Sequence, residues 1–132
     1  MSPLSGPLGD WLALERAGTA EPRFRMRFGE HHIGNPMIRA LHGGVVAAVI
    51  EVAATAALRE QLGDKAAATR LEPVSSSIDY LRVTKDADLN AKAIIARVGR
   101  RLAFVDVWCW QDDEETPVVR GACTLRILQA AM

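Results

Sequence analysis

A continuous apolar segment, His42–Leu62, constrains the fold of this chain more than any other feature. Its 21 residues read HGGVVAAVIEVAATAALREQL, and Gly63 follows them. The segment is several times longer than an average strand, and its content of Ala, Leu, Glu and Gln favours an α-helix. It is apolar on nearly every side as far as Arg59, which predicts a helix that protein encloses on most of its surface.

After Gly63 the hydrophobic pattern changes to a period of two, which is typical of β-strands. The predicted strands are Thr69–Val83, Leu89–Val98, Leu102–Gln111 and Val118–Leu128, and residues 23–28 alternate in the same way before the helix. We expect the first of the four to bend near Pro73, and the short connections predict an antiparallel meander. One strand, a long helix and four further strands predict an α+β fold with the helix packed on one face of a sheet.

The remainder of the chain predicts only a small addition to this unit. Its 132 residues correspond to one domain, since domains cluster at roughly 100–150 residues. Residues 8–16, LGDWLALER, predict a short helix with Asp10 near its start and Gly18 after its end. We therefore expect an N-terminal helical extension over residues 1–22 and a single domain over residues 23–132.

Charge and composition argue against several classes of function. Sixteen Lys and Arg residues balance sixteen Asp and Glu residues, whereas nucleic acids and anionic membranes attract basic surfaces. The apolar run Val45–Leu58 contains Glu51 and is shorter than the roughly 20 residues that span a bilayer. The first residues have neither the basic nor the apolar region of a secretion signal, so we expect none, and Cys109 and Cys123 lie in apolar stretches as buried free thiols would. We expect a cytoplasmic protein without nucleic-acid or membrane partners.

Glu51 is the residue with the clearest potential for chemistry. It lies in the middle of the apolar helix, and no Lys or Arg stands three or four positions away to pair with it. A carboxylate in such surroundings is costly unless it is paired, hydrogen-bonded or protonated. One interpretation is a structural Glu that reaches solvent or an arginine of a strand. The other is a general base or nucleophile in an apolar cleft.

His42, Gly43 and Gly44 begin the predicted helix. Two glycines leave backbone N–H groups accessible at the positive end of the helix dipole, which suits a developing oxyanion, although a tight loop-to-helix junction would also require them. Gly43 and Glu51 are eight residues apart, or about 12 Å along one helix. They cannot both contact one reacting carbonyl, so a shared reaction would require two chains related by a two-fold axis.

Together these motifs resemble the hotdog-fold acyl-CoA thioesterases, most closely the phenylacetic-acid-pathway (PaaI-like) and 4-hydroxybenzoyl-CoA thioesterase group. The resemblance covers residues 23–128 and is carried by Asn35, His42–Gly44 with an acid at position 51, Ile78–Leu81 and Gly99–Phe104. It implies a curved antiparallel sheet wrapped around a long central helix. It also implies that the N–H of Gly43 polarises the thioester carbonyl, and that Glu51 of the facing subunit activates water or attacks directly.

Three positions depart from the family pattern. Asn35, which the resemblance implies would help to hold the carbonyl or the water, stands seven residues before His42 where the PaaI-like pattern usually has six. The acid is Glu where many PaaI-like members have Asp, and Pro73 occupies the place of an auxiliary Ser or Thr. Thr55, one turn beyond Glu51, is a candidate substitute that could orient the water or could simply bond its own helix carbonyl.

Basic residues near two strand ends are candidates for holding the CoA phosphates. Arg100 and Arg101 lie in a turn, and Arg82 ends an earlier strand. The guanidinium fork matches phosphate oxygens, although an ordinary solvated turn would also carry such charges. Gly44 joins them as an expected substrate contact.

The sequence thus predicts hydrolysis of a small aryl or short- to medium-chain acyl-CoA to a carboxylic acid and CoA. A sheet face or edge would stay exposed in one chain, so we expect a homodimer, or a homotetramer built as a dimer of dimers. The alternatives are a hotdog 3-hydroxyacyl-thioester dehydratase, which would use His31 with Glu51, and a non-catalytic acyl-CoA-binding module. His31, His32 and His42 lack metal-ligand spacing, and we expect no metal and no cofactor besides the CoA thioester substrate.

Overall fold

The computed structural model describes residue 4, residues 6–18 and residues 20–129 of the chain. Two α-helices and eight strands make up most of this length. They are α1 (Pro7–Leu12), β1 (Leu14–Arg16), β2 (Arg23–Met26), β3 (Ile33–Asn35), β4 (Ala40–Leu41), α2 (Gly43–Leu62), β5 (Thr69–Tyr80), β6 (Leu89–Val98), β7 (Leu102–Trp110) and β8 (Val119–Gln129). Short 3-10 helices at Glu30–His32 and Gly63–Ala68 lead into β3 and β5.

Six of the strands form one antiparallel sheet in the order β1-β2-β6-β7-β8-β5, and β3 pairs with β4 separately. Helix α2 packs against β2 and β5–β8. The predicted α+β hotdog architecture, a long helix on a curved antiparallel sheet, is confirmed. The bend expected near Pro73 is a register shift between Pro73 and Ser75.

The order of the strands corrects one expectation. Strands β5 and β6 are consecutive in the chain but are not neighbours, because β6 pairs with β2 and β5 pairs with β8. Only β6, β7 and β8 form the predicted meander. The segment between β5 and β6 crosses the end of the sheet instead, and β5 becomes an edge strand whose residues 73–77 are exposed.

Helix α2 is buried on most sides but not on all of them. Six of its apolar side chains have no exposed surface: Val46, Val49, Ile50, Ala53, Ala54 and Leu58. A less covered stripe at helical spacing runs along another side: Gly44, Ala47, Ala48, Glu51, Thr55 and Arg59. Glu51 therefore lies where the helix is open in a single chain and not inside the core.

Helix α2 approaches the sheet closely at Gly121 of β8. A Cβ atom at this position would lie 2.6 Å from Cγ2 of Ile50, whose β-branched side chain has little rotamer freedom in a helix. We expect Gly121→Ala to destabilise the protein by about 1–3 kcal/mol through overpacking, as measured by urea unfolding. Ala122→Ser, at the next, exposed residue of β8, should change stability by less than about 0.5 kcal/mol. Equal midpoints for Gly121→Ala and the wild type would contradict this packing.

The N-terminal extension contains a strand as well as a helix, so the helix predicted over residues 8–16 is too long. Helix α1 ends at Leu12, and Ala13 caps it in the left-handed conformation (φ 56°). Strand β1 then pairs with β2, and this pairing buries Leu14 opposite Met26. Pairing with an open sheet edge thus ends the helix earlier than helix propensity alone predicts.

The carbonyl of Trp11 ties this extension to the loop that precedes β3. Nε2 of His31 and Nε2 of His32 both donate to that carbonyl, at 2.6 and 3.2 Å, and the N–H of Gly29 donates to Nδ1 of His32. His32 is fully buried, and this burial lowers its pKa. Both ring nitrogens of the neutral imidazole have partners, which satisfies a buried polar side chain.

The two cysteines are free buried thiols, as predicted. Burial raises the pKa of Cys109 to about 12, so this thiol stays protonated and unreactive. Within residues 6–18 and 20–129, no helix is long and apolar enough to cross a membrane.

Candidate active site

His42 organises the N-terminus of α2. Its backbone is extended (φ −65°, ψ 133°), and its Nδ1 accepts the N–H of Gly44 at 2.8 Å. Its carbonyl accepts the N–H groups of Val45 and Val46, at 3.0 and 3.2 Å. The N–H groups of the N-cap and of the next three residues have no regular partner inside a helix. His42 accepts two of them, those of Gly44 and Val45, and its own N–H donates to the carbonyl of His32 at 2.8 Å.

Gly43 carries the fourth N–H group of this first turn. This N–H has no acceptor among the described residues, and Gly43 is exposed. The helix dipole places positive potential at this point, and the absence of a side chain leaves the N–H open to an approaching oxygen atom. Such a donor can bind a thioester carbonyl and, more strongly, the oxyanion that forms from it.

Gly44, which we expected to contact the substrate, has its N–H bonded within the helix cap. Its N–H is already used by His42, so it offers no second backbone donor to a substrate. A Cβ atom on Gly44 would lie 3.0 Å from Nδ1 of His42. The second glycine therefore makes room for the cap.

The carbonyl of Gly43 is held as well. The Oη atom of Tyr80 donates a hydrogen bond to it at 2.9 Å. Tyr80 is the last residue of β5, and this strand runs back along α2 so that its end lies beside the start of the helix. The peptide group between Gly43 and Gly44 is thus bonded at its carbonyl by Tyr80 and at its N–H by His42.

Glu51 is half-buried on the open stripe of α2. Its carboxylate forms no hydrogen bond or ion pair with any described residue, so the arginine partner considered from the sequence is not seen there. Burial, and after it the negative charges of Glu51 and Asp106, raises the pKa of Cys123 to about 11. The carboxylate of Glu51 is therefore close enough to β8 for its charge to act on this thiol.

Thr55 and Asn35 have their side chains engaged elsewhere. Oγ1 of Thr55 donates to the backbone carbonyl of Glu51 at 2.8 Å, which is the purely helical role that we considered for it. Oδ1 of Asn35 accepts the N–H of Met37 at 3.0 Å and so stabilises the exposed turn between β3 and β4. Neither contact reaches Gly43 or the carboxylate of Glu51.

A cavity of about 1010 Å³ lies at the opposite end of α2, beside Leu62. Four of the residues that line it are cationic: Lys65, Arg100, Arg101 and Arg126. None of the four forms an ion pair with any residue that the structure describes, and no acidic residue lines the cavity. Unpaired guanidinium and ammonium groups around a wide cavity suit a polyanion such as a nucleotide phosphate.

Arg82 does not join this cationic cluster in one chain. Its guanidinium donates to the carbonyl of Pro117 at 2.9 Å, next to the start of β8, whereas Arg126 lies near the end of β8. The eight residues from Val118 to Arg126 span roughly 25 Å of strand. The three arginines that we grouped from the sequence therefore lie at two ends of the sheet.

Three residues beside these groups were not predicted from the sequence as site residues: Lys65, Arg126 and Tyr80. Arg126 becomes a neighbour of Arg100 only through the pairing of β7 with β8, in which Leu102 is opposite Arg126. Lys65 precedes β5 and reaches the same cavity because β5 pairs with the other side of β8. Two features of the sequence could have indicated Tyr80: it is the single tyrosine of the chain, and it stands at the end of the strand that follows the helix. Its hydroxyl could be assigned a partner only once the return of β5 to the helix start was known.

The fold and the site define a class of protein. A curved sheet around a long helix, a bare N–H group at the helix start and a carboxylate on its open side are features of hotdog-fold thioester hydrolases. The family model of the thioesterase superfamily matches residues 39–118, which is more than half of the chain. The chain belongs to the thioesterase superfamily, and the predicted class of enzyme, a thioester hydrolase, is confirmed. Among curated protein sequences, none matches the chain significantly.

Solved structures agree with this assignment at the level of the fold. A thioesterase from Haemophilus influenzae shares 18% identity with a TM-score of 0.84, over 98% of this chain and 87% of that one. A Bacillus halodurans protein crystallised with CoA shares 22% identity with a TM-score of 0.79, over 94% and 77% of the two chains. A phenylacetic acid degradation-related protein from Ralstonia eutropha JMP134 shares 17% identity with a TM-score of 0.78, over 92% and 90%.

Proposed function

We propose that this protein hydrolyses acyl-CoA thioesters carrying a small aryl or a short- to medium-chain acyl group. The observation that supports this most is the N–H group of Gly43, which has no acceptor among the described residues while its neighbours in the first turn are all bonded. A preorganised donor of this kind stabilises the oxyanion formed when a thioester carbonyl is attacked. Glu51 acts as the general base or as the nucleophile.

The proposed site is formed by two copies of the chain. Gly43 and Glu51 lie about 12 Å apart along α2, and a single chain cannot place both beside one carbonyl carbon. Strand β5 is an edge strand with exposed residues at 73–77, and such an edge is available for pairing with a second copy. Antiparallel pairing of two β5 strands would bring the helix start of one chain toward Glu51 of the other.

In the general-base route, Glu51 takes a proton from water while the water oxygen bonds to the thioester carbon. The electron pair of the carbonyl moves onto its oxygen, which the N–H of Gly43 binds. The intermediate then collapses, the C–S bond breaks, and the thiolate takes the proton from Glu51. In the nucleophilic route the carboxylate attacks directly, CoA leaves as the thiolate, and water hydrolyses the resulting anhydride.

The cationic cavity beside Leu62 is the proposed site for the phosphates of CoA. It lies on the same chain as Glu51. Leu62 follows Glu51 by eleven residues, which corresponds to about 16 Å along α2. The bound CoA in the Bacillus halodurans structure supports a CoA ligand for a domain of this fold. Arg82 of the second copy would approach this cavity, because antiparallel β5 strands place the Tyr80 end of one beside the Thr69 end of the other.

The test compares CoA thioesters with the matching N-acetylcysteamine thioesters, which keep the reacting thioester but lack the nucleotide, its phosphates and most of the pantetheine arm. We expect release of free thiol from aryl- and acyl-CoA esters by the wild-type protein, and slower release from the matching N-acetylcysteamine thioesters. The double substitution Arg100→Ala with Arg101→Ala should raise KM for the CoA ester by about 10- to 100-fold, because it removes charge-assisted hydrogen bonds to phosphate. It should leave kcat/KM for the N-acetylcysteamine ester unchanged.

Arg25→Ala with Arg27→Ala is the matched control. Both of these arginines are exposed on β2 and contact Glu15. Their removal should change neither KM for the CoA ester nor kcat/KM for the N-acetylcysteamine ester. An equal loss of kcat/KM with both thioesters would show that Arg100 and Arg101 do not bind the phosphates of CoA. Hydration of enoyl-CoA in place of hydrolysis would indicate a dehydratase, and binding of CoA esters without turnover would indicate a binding module; either result would overturn the proposed function.

A further inference from the structure

We propose that Tyr80 is a positioning residue for the reaction, and that it acts by fixing the peptide group that follows the oxyanion donor Gly43. This inference rests on the proposed function. It concerns a hydroxyl group that touches the backbone of the site and not the reacting atoms.

Two peptide groups flank the α-carbon of Gly43. In the preceding group, the carbonyl of His42 accepts two N–H groups of the helix, while the N–H of Gly43 has no acceptor among the described residues. In the following group, the carbonyl of Gly43 accepts the hydroxyl of Tyr80 at 2.9 Å, and the N–H of Gly44 donates to His42 at 2.8 Å. Three of the four groups are therefore held, and the fourth is the donor that the reaction needs.

This arrangement matters because the residue between the two peptide groups is glycine. Glycine has no Cβ atom to restrict its backbone angles, so local hydrogen bonds must supply the rigidity that a side chain would otherwise provide. An oxyanion donor is effective only if it already points at the developing charge. The following peptide group has the helix's own bond from the N–H of Ala47 to the carbonyl of Gly43, and Tyr80 and His42 add one bond each to it.

Tyr80 is itself anchored independently of the helix. Its place at the end of β5 is fixed by pairing with Val119, and the next two N–H groups, of Leu81 and Arg82, both donate to the carbonyl of Val118 at 2.8 and 3.1 Å. The hydroxyl is thus presented from the sheet to the start of the helix. A rigid sheet can in this way fix a flexible glycine.

Tyr80→Phe removes the hydroxyl and keeps the ring. We expect kcat for thioester hydrolysis to fall about three- to tenfold, the effect of losing one hydrogen bond, with KM and the unfolding midpoint little changed. The decisive measurement is the same substitution made in a Gly43→Pro background, which lacks the N–H group. There Tyr80→Phe should have no further effect, because no donor is left to orient. An undiminished effect in that background would show that the hydroxyl acts on the substrate and would overturn the proposal.

A second readout does not depend on turnover. With ¹⁵N-glycine labelling, the order parameter of the Gly43 amide should fall from about 0.85, the value of a rigid backbone, toward about 0.6 in Tyr80→Phe, while that of Gly121 in β8 stays constant. An unchanged Gly43 amide would overturn the positioning role. If the wild type hydrolyses no thioester, the proposed function fails, and this measurement still decides whether Tyr80 fixes Gly43.

Discussion

Replacing Gly43 with proline is expected to lower kcat for thioester hydrolysis by about 10²- to 10³-fold, the usual effect of deleting one oxyanion donor. Proline has no N–H group, and the N–H of Gly43 is the one donor of the first helical turn without an acceptor in the described part of the chain. The substitution therefore removes the proposed catalytic contact and no hydrogen bond seen in this structure. Steady-state thiol release measures the effect.

The backbone at this position is already suited to proline. Gly43 is the first residue of α2, where proline is favoured because its missing N–H has no partner in the helix. The preceding residue must avoid the helical region, and His42 does so with φ −65° and ψ 133°. We therefore expect the unfolding midpoint of Gly43→Pro to equal or exceed that of the wild type, since proline also restricts the unfolded chain.

Gly43→Ala is the matched comparison because alanine retains the N–H group. Its Cβ atom would lie 3.5 Å from Oη of Tyr80, an ordinary van der Waals contact. The loss of kcat in Gly43→Ala should be much smaller than in Gly43→Pro. Equal losses in the two variants would mean that the space at Gly43, and not its N–H group, is what the reaction requires.

The sequence was sufficient to predict the elements of the fold but not their neighbours. Periodicity located α2 and the later strands because each element buries one regular set of side chains. It did not show that β5 pairs with β8, since β5 and β6 are joined by a short segment that could equally be a hairpin. It also did not show that Leu14 continues the sheet, because three residues are too few to establish a period.

Some residues of the candidate site could likewise be predicted from the sequence, and others could not. Gly43 and Glu51 could be found from the sequence because both are exceptional residues within one helix, and the pitch of that helix sets their separation. The cluster around Arg100 could be predicted only in part, because Arg126 joins it through strand pairing. The roles of Asn35 and Thr55 could not be decided, since either side chain can bond local backbone or a ligand, and the structure shows local bonds for both.

Replacing Glu51 with glutamine is expected to lower kcat at least about a hundredfold, within the usual range for removal of a general base. Glutamine keeps the size and shape of the side chain, but it can neither take a proton from water nor form an acyl anhydride. Both proposed routes therefore predict the same loss in thiol release. Stability should be unchanged or higher, because a half-buried carboxylate without a partner among the described residues gains little from its charge.

Glu60→Gln is the matched control for this prediction. Glu60 lies on the same helix and is exposed, and its carboxylate bonds to Arg16 at 2.8 Å. An exposed ion pair contributes about 0–1 kcal/mol, so this variant should keep both its activity and nearly all of its stability. Full activity in Glu51→Gln would remove the carboxylate from the mechanism and leave Gly43 as the sole proposed catalytic group. Equal losses in Glu51→Gln and Glu60→Gln would instead indicate that the charge of α2 as a whole, and not the place of Glu51 on its open stripe, controls the reaction.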